Sequence, residues 1–142
     1  MPEEIGHTID HLIEIDEKEF GDLTVYRGKW IPSHLNGYEI HITTAWSGWG
    51  KVSSSRAATR LIQVSSEKYK IDLFIFTGVA GGIREDVNQW DLVLASQLIQ
   101  HDMDASPLFP KYVIPALDQK ILKADNKIIN WAFESINKFK IQ

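Results

Sequence analysis

The sequence predicts an α/β protein in which helices alternate with buried strands around a layered sheet. The apolar run from Ile71 to Phe76 is typical of a strand buried on both faces, as at the centre of a parallel sheet. The segment from Asp118 to Lys138 repeats apolar residues at helical spacing. Asn36-Gly37, between two strand-like segments, predicts an antiparallel hairpin added to the sheet.

Composition indicates an ordinary globular protein and excludes several classes. The chain has 142 residues, of which 44% are hydrophobic, and a formal net charge of −4. That charge, without a basic stripe, argues against a nucleic-acid partner, and no apolar run is long enough for a membrane span. The absence of cysteine excludes disulfides and a cysteine nucleophile, which fits the cytoplasm. With no repeat or linker, we expect one domain spanning residues 1–142.

The N-terminal segment predicts a helix followed by a polar break. Pro2 suits the first helical turn, and Glu3 and Glu4 suit its positive end. The polar residues from Asp16 to Asp22 are expected to interrupt regular structure. The apolar face of the helix is predicted to consist of Ile5, Ile9, Leu12 and Ile13.

Two strands and a helix are predicted next. Leu23 to Trp30 and Tyr38 to Thr44 have the composition and alternation of paired strands. A helix then follows the turn from Ser47 to Lys51 and runs to about Lys68. Its core face is predicted to contain Ala58, Leu61 and Ile62.

The second half of the chain continues the alternation. A polar loop from Arg84 to Gln89 leads to a predicted strand from Asp91 to Ile99. Three prolines keep the segment from Ala105 to Pro115 irregular. The terminal helix, amphipathic from about Asp118 to Lys138, is predicted to have an apolar face formed by Ile121, Leu122, Ile128, Ile129, Ala132, Phe133 and Ile136.

Two glycine-rich turns are candidates for the floor of a binding site. They run from Ser47 to Lys51 and from Thr77 to Gly82, and each follows a predicted strand. In α/β sheets, ligands bind at the carboxyl ends of strands, where glycine lets backbone N–H groups approach closely. Such turns also occur where the backbone merely needs a positive φ, so the pattern alone leaves both interpretations open.

The order of these features resembles the methylthioadenosine/S-adenosylhomocysteine nucleosidases of the purine nucleoside phosphorylase superfamily. The two turns lie one strand–helix unit apart, and a further strand leads to the segment from His101 to Asp104. The opening Met1-Pro2-Glu3-Glu4-Ile5 and the Leu35-Asn36-Gly37 segment are also similar to that family. The resemblance implies a three-layer nucleoside phosphorylase-like fold, with a mixed central sheet flanked by helices and incomplete at both ends.

The resemblance also implies a reaction, hydrolysis of the N-glycosidic bond of methylthioadenosine, S-adenosylhomocysteine or a related purine nucleoside. Such a reaction needs a poised water, a protonated leaving base and no cofactor. Glu4 matches the family's water-activating glutamate. Taken alone, Glu4 is better explained as a first-turn acid that favours the helix dipole, and the family match reverses that preference.

Other positions match the substrate pocket of that family. Met1 and Trp49 resemble residues that line the 5′-thio group, and plain packing is the alternative. Val79, Ala80 and Gly81 match the ribose and water side, although many relatives carry a hydroxyl residue in place of Val79. At Trp49 the family has a smaller aliphatic residue, so the ring should reshape the pocket.

Two further features of the sequence support weaker hypotheses. His101, Asp102 and Asp104 are possible metal ligands, but alternate residues of a strand end point apart, and turn hydrogen bonds explain them better. The resemblance implies no metal. Trp90 replaces a glycine that is common before Asp91, so the preceding turn is expected to differ locally.

Leu108 and Phe109 are apolar residues in a loop. The family forms homodimers in which this region of one subunit helps to close the pocket of its neighbour, which the resemblance implies here. The alternative is that both side chains fold back on their own core.

The resemblance stops at the terminal helix. The family's ribose-binding glutamate, adenine contacts and general acid have no counterpart here, and neither does its first strand. We therefore expect exposed apolar surface and unpaired strand edges in a retained part of a longer chain or a truncated relative. Two other functions stay open: a phosphorolytic enzyme of the same superfamily, and a non-catalytic nucleoside-binding or interaction module.

Overall fold

The computed structural model describes residues 3–140, and the side chains of residues 3–6, 35, 139 and 140 lie outside that description. The chain divides into two compact units, Met1–Ala80 and Gly81–Gln142. Within the described residues, no helix is both long and apolar enough to cross a membrane.

Within its described residues, the first unit contains a three-stranded antiparallel sheet, two α-helices and a short 3₁₀ helix at Ser33–Leu35. The strands follow one another in sheet order β1-β2-β3. In chain order the elements are α1 (Glu3–Asp10), β1 (Ile13–Phe20), β2 (Leu23–Trp30), β3 (Ile40–Ala45) and α2 (Gly50–Ser66).

The hairpin prediction is confirmed. The observed bounds of β2 match the predicted strand, and β2 pairs antiparallel with β3 from Val25 opposite Ala45 to Trp30 opposite Ile40. Asn36 and Gly37 adopt φ angles of 47° and 83° in the connection. Asparagine and glycine are the residues that adopt this left-handed conformation at low cost, which explains the turn.

The predicted polar break from Asp16 to Asp22 is wrong, because most of it lies in β1. This strand lies at the sheet edge, and most of its side chains are exposed, so it lacks the apolar alternation by which buried strands are detected. Ion pairs help to hold β1 in place where few apolar side chains are buried. Lys18 pairs with Glu67, and Lys29 of β2 pairs with Glu14 at 2.9 Å.

The core of the first unit lies between β2 and α2. Its buried side chains are Leu23, Val25, Ala57 and Val64. Ala57 and Val64 are seven residues apart and share a helix face, with Leu61 partly buried between them. The predicted face was therefore rotated, since Ile62 is exposed. The predicted face of α1 is also corrected: the helix ends at Asp10, so Leu12 and Ile13 lie beyond it.

A buried arginine joins three elements of this unit. Arg27 on β2 donates to the Val64 carbonyl oxygen of α2 at 2.9 Å and pairs with Asp16 of β1. Glu67, just beyond α2, lies 3.8 Å from the same guanidinium. The Arg27 side chain is buried, and its positive charge is balanced by Asp16 and Glu67, whose carboxylates stay in contact with water.

The predicted central strand from Ile71 to Phe76 is not part of any sheet among the described residues. Ile75 and Phe76 have 66% and 71% of their surfaces exposed. A strand forms only where another strand supplies its hydrogen bonds, and apolar composition does not provide that partner. The described strands are all antiparallel.

The second unit has short strands and one long helix: β4 (Gln97–Leu98), β5 (Leu122–Lys123) and α3 (Asn126–Lys140). β4 and β5 pair antiparallel, so the predicted strand from Asp91 to Ile99 reduces to two residues. The irregular segment from Ala105 to Pro115 is confirmed apart from a single bridge, Ile114 to Gln119.

The terminal helix begins later than predicted, and Asp125 explains why. Its Oδ1 atom accepts hydrogen bonds from the backbone N–H groups of Lys127 at 2.7 Å and Ile128 at 3.4 Å. This is an N-cap, which satisfies donors that the first helical turn leaves unpaired. Ile121 and Leu122, predicted on the helix face, therefore precede the helix.

Candidate functional site

The first glycine-rich turn connects β3 to α2 through two left-handed residues. Gly48 and Gly50 have φ angles of 75° and 85°, and Trp49 between them is extended. A side chain at either position would strain the backbone, so the turn requires glycine. The sequence pattern identified this turn correctly.

Trp49 occupies the N-cap position of α2 without a side-chain cap hydrogen bond. No acidic residue lies in the first helical turn, and 83% of the Trp49 surface is exposed. The indole is therefore not a core residue of the first unit. An exposed ring beside the positive end of a helix suits contact with a ligand that has both apolar and oxygen-bearing groups.

The second turn extends the exposed segment that follows Phe76. Val79 is almost fully exposed, and Ala80 is exposed beside it. A Cβ atom built on Gly78 or Gly81 would meet nothing within 4 Å. Crowding within the described residues therefore does not explain these glycines, and Val79 is not used in core packing.

Glu4 lies in the first turn of α1, which begins at Glu3. Its side chain lies outside the described residues, and so does all of Met1. The backbone position agrees with the predicted helix start, where partial positive charge from N–H groups favours an ionised carboxylate.

Leu108 and Phe109 share one turn, since both backbone N–H groups donate to the Ala105 carbonyl oxygen at 3.1 Å. Leu108 has 85% of its surface exposed, whereas Phe109 is only at the limit of exposure. Leu108 therefore does not fold back on the core of the second unit, which was the alternative interpretation.

The cluster of His101, Asp102 and Asp104 does not assemble as metal ligands. Among the described residues, no three histidine or acidic side chains converge on a common point. Asp104 instead accepts a hydrogen bond from the Ser106 backbone N–H at 3.1 Å. Hydrogen bonds from Ser106, aided by the charge of Lys111, lower the pKa of Asp104.

Trp90 adopts a left-handed backbone conformation, which glycine tolerates better than other residues. Its φ angle is 76°, and the surrounding turn is closed by Asp91, whose Oδ2 atom accepts from the Asn88 N–H at 2.8 Å. A bulky residue is unfavourable in this conformation, and 90% of the Trp90 surface is exposed.

The sequence analysis missed a groove in the second unit. It has a volume of about 450 Å³ and lies between residues 92–94 and α3. Its lining is mainly apolar, with two asparagines: Leu92, Val93, Leu94, Ile129, Asn130, Phe133, Ile136 and Asn137. The helical spacing of Ile129, Phe133 and Ile136 was the available signal, and it was interpreted only as the apolar face of the terminal helix.

The predicted site residues thus fall into separate local groups. Trp49 lies at the start of α2 in the first unit, and Val79 and Ala80 are neighbouring residues at the end of that unit. Gly81 and the Leu108–Phe109 turn belong to the second unit.

Comparison with known proteins gives these positions a family context. A model of the phosphorylase superfamily matches residues 1–142. The chain is 32% identical to the 5′-methylthioadenosine/S-adenosylhomocysteine nucleosidase of Staphylococcus haemolyticus over 137 residues, covering 92% of this chain and 55% of that protein. It is 30% identical to the aminodeoxyfutalosine nucleosidase of Campylobacter jejuni over 144 residues, covering 100% of this chain and 57% of the relative. The chain therefore spans about half the length of these curated relatives.

Solved structures show the same fold relationship. The nucleosidase of Neisseria meningitidis, solved with methylthio-immucillin-A, superposes with a TM-score of 0.80 at 24% identity, over 98% of this chain and 55% of that one. The Streptococcus pneumoniae nucleosidase, solved with 8-aminoadenine, gives a TM-score of 0.72 at 27% identity, over 95% and 55%. These likenesses confirm the nucleoside phosphorylase-like α/β fold class. Because the family model matches its full length, the chain belongs to the phosphorylase superfamily.

Proposed function

We propose that this chain carries part of the catalytic machinery for N-glycosidic hydrolysis of a purine nucleoside, releasing the free base. The proposed substrates are methylthioadenosine, S-adenosylhomocysteine or a related nucleoside with a substituted 5′ carbon. The similarity to the Staphylococcus haemolyticus nucleosidase over 92% of the chain carries this proposal. The chemistry needs no cofactor, because water is the only co-reactant.

The proposal assigns Glu4 to activation of the attacking water. A carboxylate takes the water proton, and its charge stabilises positive charge that develops on the ribose ring. This assignment is supported by the family match, which includes Glu4 in the first turn of α1.

Substrate contacts are assigned to the residues that match the substrate pocket of the family. Trp49 and Met1 are proposed to contact the 5′-thio group, for which an aromatic ring and a thioether are suitable partners. Val79, Ala80 and Gly81 are proposed to line the ribose. Exposure of Trp49 and Val79 supports these roles, since neither side chain is used in core packing.

The reaction is tested by measuring free base released from methylthioadenosine, S-adenosylhomocysteine and aminodeoxyfutalosine. We expect release without phosphate from at least one substrate. The assay uses the 142-residue chain and a form extended by the portion of the Staphylococcus haemolyticus relative that the chain does not match. No release from either form would contradict the proposal.

Glu4 is tested by Glu4→Gln in the active form, with Glu3→Gln as the matched control from the same helical turn. We expect Glu4→Gln to lower kcat by about 10²–10⁴-fold, the usual range for loss of an acid–base group. Glu3→Gln should leave kcat within about threefold of wild type, because a neighbouring first-turn acid contributes only through the helix dipole. Equal effects of both changes would remove Glu4 from the catalytic role.

A non-catalytic nucleoside-binding module is the second candidate. It is favoured by the chain's coverage of only 55% of the relative's length, because residues needed to protonate the leaving base can lie in the remainder. This candidate predicts saturable binding of a nucleoside with no free base at any protein concentration. A phosphorolytic enzyme, by contrast, would release base only when phosphate is present.

The remaining expectations belong to the same proposal. We propose a homodimer in which Leu108 and Phe109 of one subunit approach the pocket of the other, and the exposure of Leu108 supports it. We also propose that both compact units form one domain, supported by the continuous match of the family model. A cytoplasmic location is proposed from the cysteine-free composition.

A further inference from the structure

The connection between β2 and β3 contains an asparagine that is followed by glycine, Asn36-Gly37. The chain has five asparagines, and the other four each precede a larger residue: Asn88, Asn126, Asn130 and Asn137. Only at Asn36 does the next residue lack a Cβ atom. The backbone nitrogen that follows Asn36 is therefore the least shielded of the five by its own side chain.

The local structure leaves that nitrogen open. Asn36 lies at the end of the short 3₁₀ helix and Gly37 just beyond it, and both are exposed. A Cβ atom built on Gly37 would meet nothing within 4 Å. The pairing of β2 with β3 ends at Trp30 opposite Ile40, and among the described residues the Gly37 N–H donates no hydrogen bond. No described contact therefore holds this nitrogen away from the Asn36 side chain.

An asparagine next to such a nitrogen is able to cyclise onto its own backbone. The Gly37 nitrogen attacks the Asn36 Cγ atom, a C–N bond forms to close a succinimide ring, and the Cγ–Nδ2 bond breaks. The Gly37 amide proton passes to Nδ2, which leaves as ammonia. Water then opens the ring at either of its two carbonyl carbons, which gives aspartate in one case and isoaspartate in the other. Water is thus the only co-reactant.

We propose that Asn36 is a site of spontaneous deamidation in the folded chain, with isoaspartate among the products. The aspartate product keeps the original main chain and tolerates the left-handed conformation of residue 36, where φ is 47°. The isoaspartate product adds a main-chain carbon as well as a negative charge, so it lengthens the connection between β2 and β3. This inference concerns the hairpin and does not depend on the proposed reaction.

The test is timed incubation of the purified 142-residue chain near neutral pH, followed by tryptic digestion and mass spectrometry. The tryptic peptide from Trp30 to Lys51 contains no asparagine except Asn36, and chromatography separates its aspartate and isoaspartate forms. Asn88 is the internal control, since it is also exposed but precedes Gln89.

We expect Asn36 to be converted at least about tenfold faster than Asn88, because Gln89 carries the Cβ atom that Gly37 lacks. Isoaspartate should form together with aspartate. The inference is overturned if Asn36 is converted no faster than Asn88. It is also overturned if aspartate alone forms, because direct hydrolysis of the side-chain amide gives no isoaspartate.

Two variants test whether Gly37 is the attacking residue. Gly37→Ala adds a Cβ atom and should slow conversion of Asn36 by about tenfold. Gly21→Ala is the matched control, because Gly21 also has a positive φ angle, 69°, and equally open surroundings, in the turn between β1 and β2. It should leave the rate at Asn36 unchanged.

Circular dichroism before and after incubation shows whether each chain stays folded. Conversion of Asn36 at the wild-type rate in Gly37→Ala, or equal slowing by both variants, would contradict the role of Gly37. If Gly37→Ala does not fold, the comparison of Asn36 with Asn88 in the wild-type chain decides the question.

Discussion

Residues with a positive φ angle differ in what holds them there. Asn36 and Asp118 carry short polar side chains that tolerate the left-handed region. Tyr112 at φ 72° is bulkier, but its N–H donates to the Met103 carbonyl at 2.9 Å and Lys111 lies 5.1 Å from its ring. Trp90 has no comparable side-chain contact among the described residues, which makes its conformation a net cost.

Trp90→Gly is therefore expected to stabilise the chain. Relief of left-handed strain is worth about 1–2 kcal/mol, and the greater freedom of glycine in the unfolded chain offsets about 0.5–1 kcal/mol. Since the ring is 90% exposed, little burial is lost. Urea unfolding monitored by circular dichroism measures the net gain. Trp90→Ala, which removes the ring but retains the strain, is the control, and a similar gain in both variants would show that strain is not the cause.

At the scale of elements, polar contacts between α2 and the sheet hold the first unit together at several points. Arg27 connects β1, β2 and α2 from a buried position. Arg56 binds both carboxylate oxygens of Asp22 in the turn between β1 and β2, at 2.5 and 3.1 Å. Arg60 lies over the Phe20 ring at 4.6 Å. The edge strand is thus held by polar contacts where apolar burial is small.

Arg27→Ala is expected to lower the free energy of unfolding by about 1–3 kcal/mol. The change leaves the Val64 carbonyl oxygen buried without its donor, which carries a penalty of that size. The loss stays below that of a fully buried ion pair because Asp16 and Glu67 keep contact with water. Arg60→Ala, which removes a half-buried cation–π contact, should lose about 0.5–1 kcal/mol. Equal losses measured by urea unfolding would contradict the special role of Arg27.

The ion pair between Asp22 and Arg56 predicts an acid-sensitive contribution to stability. Hydrogen bonds from Arg56 hold the pKa of Asp22 below its ordinary value of 3.8. The unfolded chain therefore takes up this proton first, so the contribution is complete above pH 3.8 and is lost as pH falls through the lower folded-state pKa. Urea midpoints of wild type should fall more steeply over this range than those of Asp22→Asn. Arg56→Gln should remove the same component, and parallel curves for all three proteins would refute this linkage.

At the scale of the whole molecule, exposed apolar residues indicate surfaces for other polypeptide. The segment from Ile71 to Phe76 is one such surface in the first unit, and Leu108 marks another in the second. They differ in kind: no described sheet includes the backbone of residues 71–76, whereas Leu108 lies in a turn whose backbone already donates to Ala105. Leu108 therefore suits side-chain contact between subunits.

Leu108→Glu is expected to weaken the proposed homodimer without lowering thermal stability. A charge at an apolar contact costs association free energy, while an 85% exposed side chain contributes little to folding. Sedimentation equilibrium should show at least about a tenfold rise in the dimer Kd. Ile83→Glu, at an almost fully exposed position in the same unit, is the matched control. If both variants dimerise as wild type does, Leu108 does not contribute to the interface.

The sequence by itself determined the elements whose signals are local. The bounds of β2, the extent of α2 and the Asn36–Gly37 connection follow from alternation, helical spacing and left-handed propensity, and each was predicted. The ordered succession of glycine-rich turns likewise pointed to the superfamily that the family model confirms.

Only the tertiary structure decided which segments have partners. β1 is a strand because β2 supplies its hydrogen bonds, although its own residues are mostly polar and exposed. The segment from Ile71 to Phe76 has the stronger strand composition yet lies outside every described sheet. The physical reason is that a strand is stabilised by hydrogen bonds to residues distant in sequence, whereas helices and turns satisfy their own backbone groups nearby.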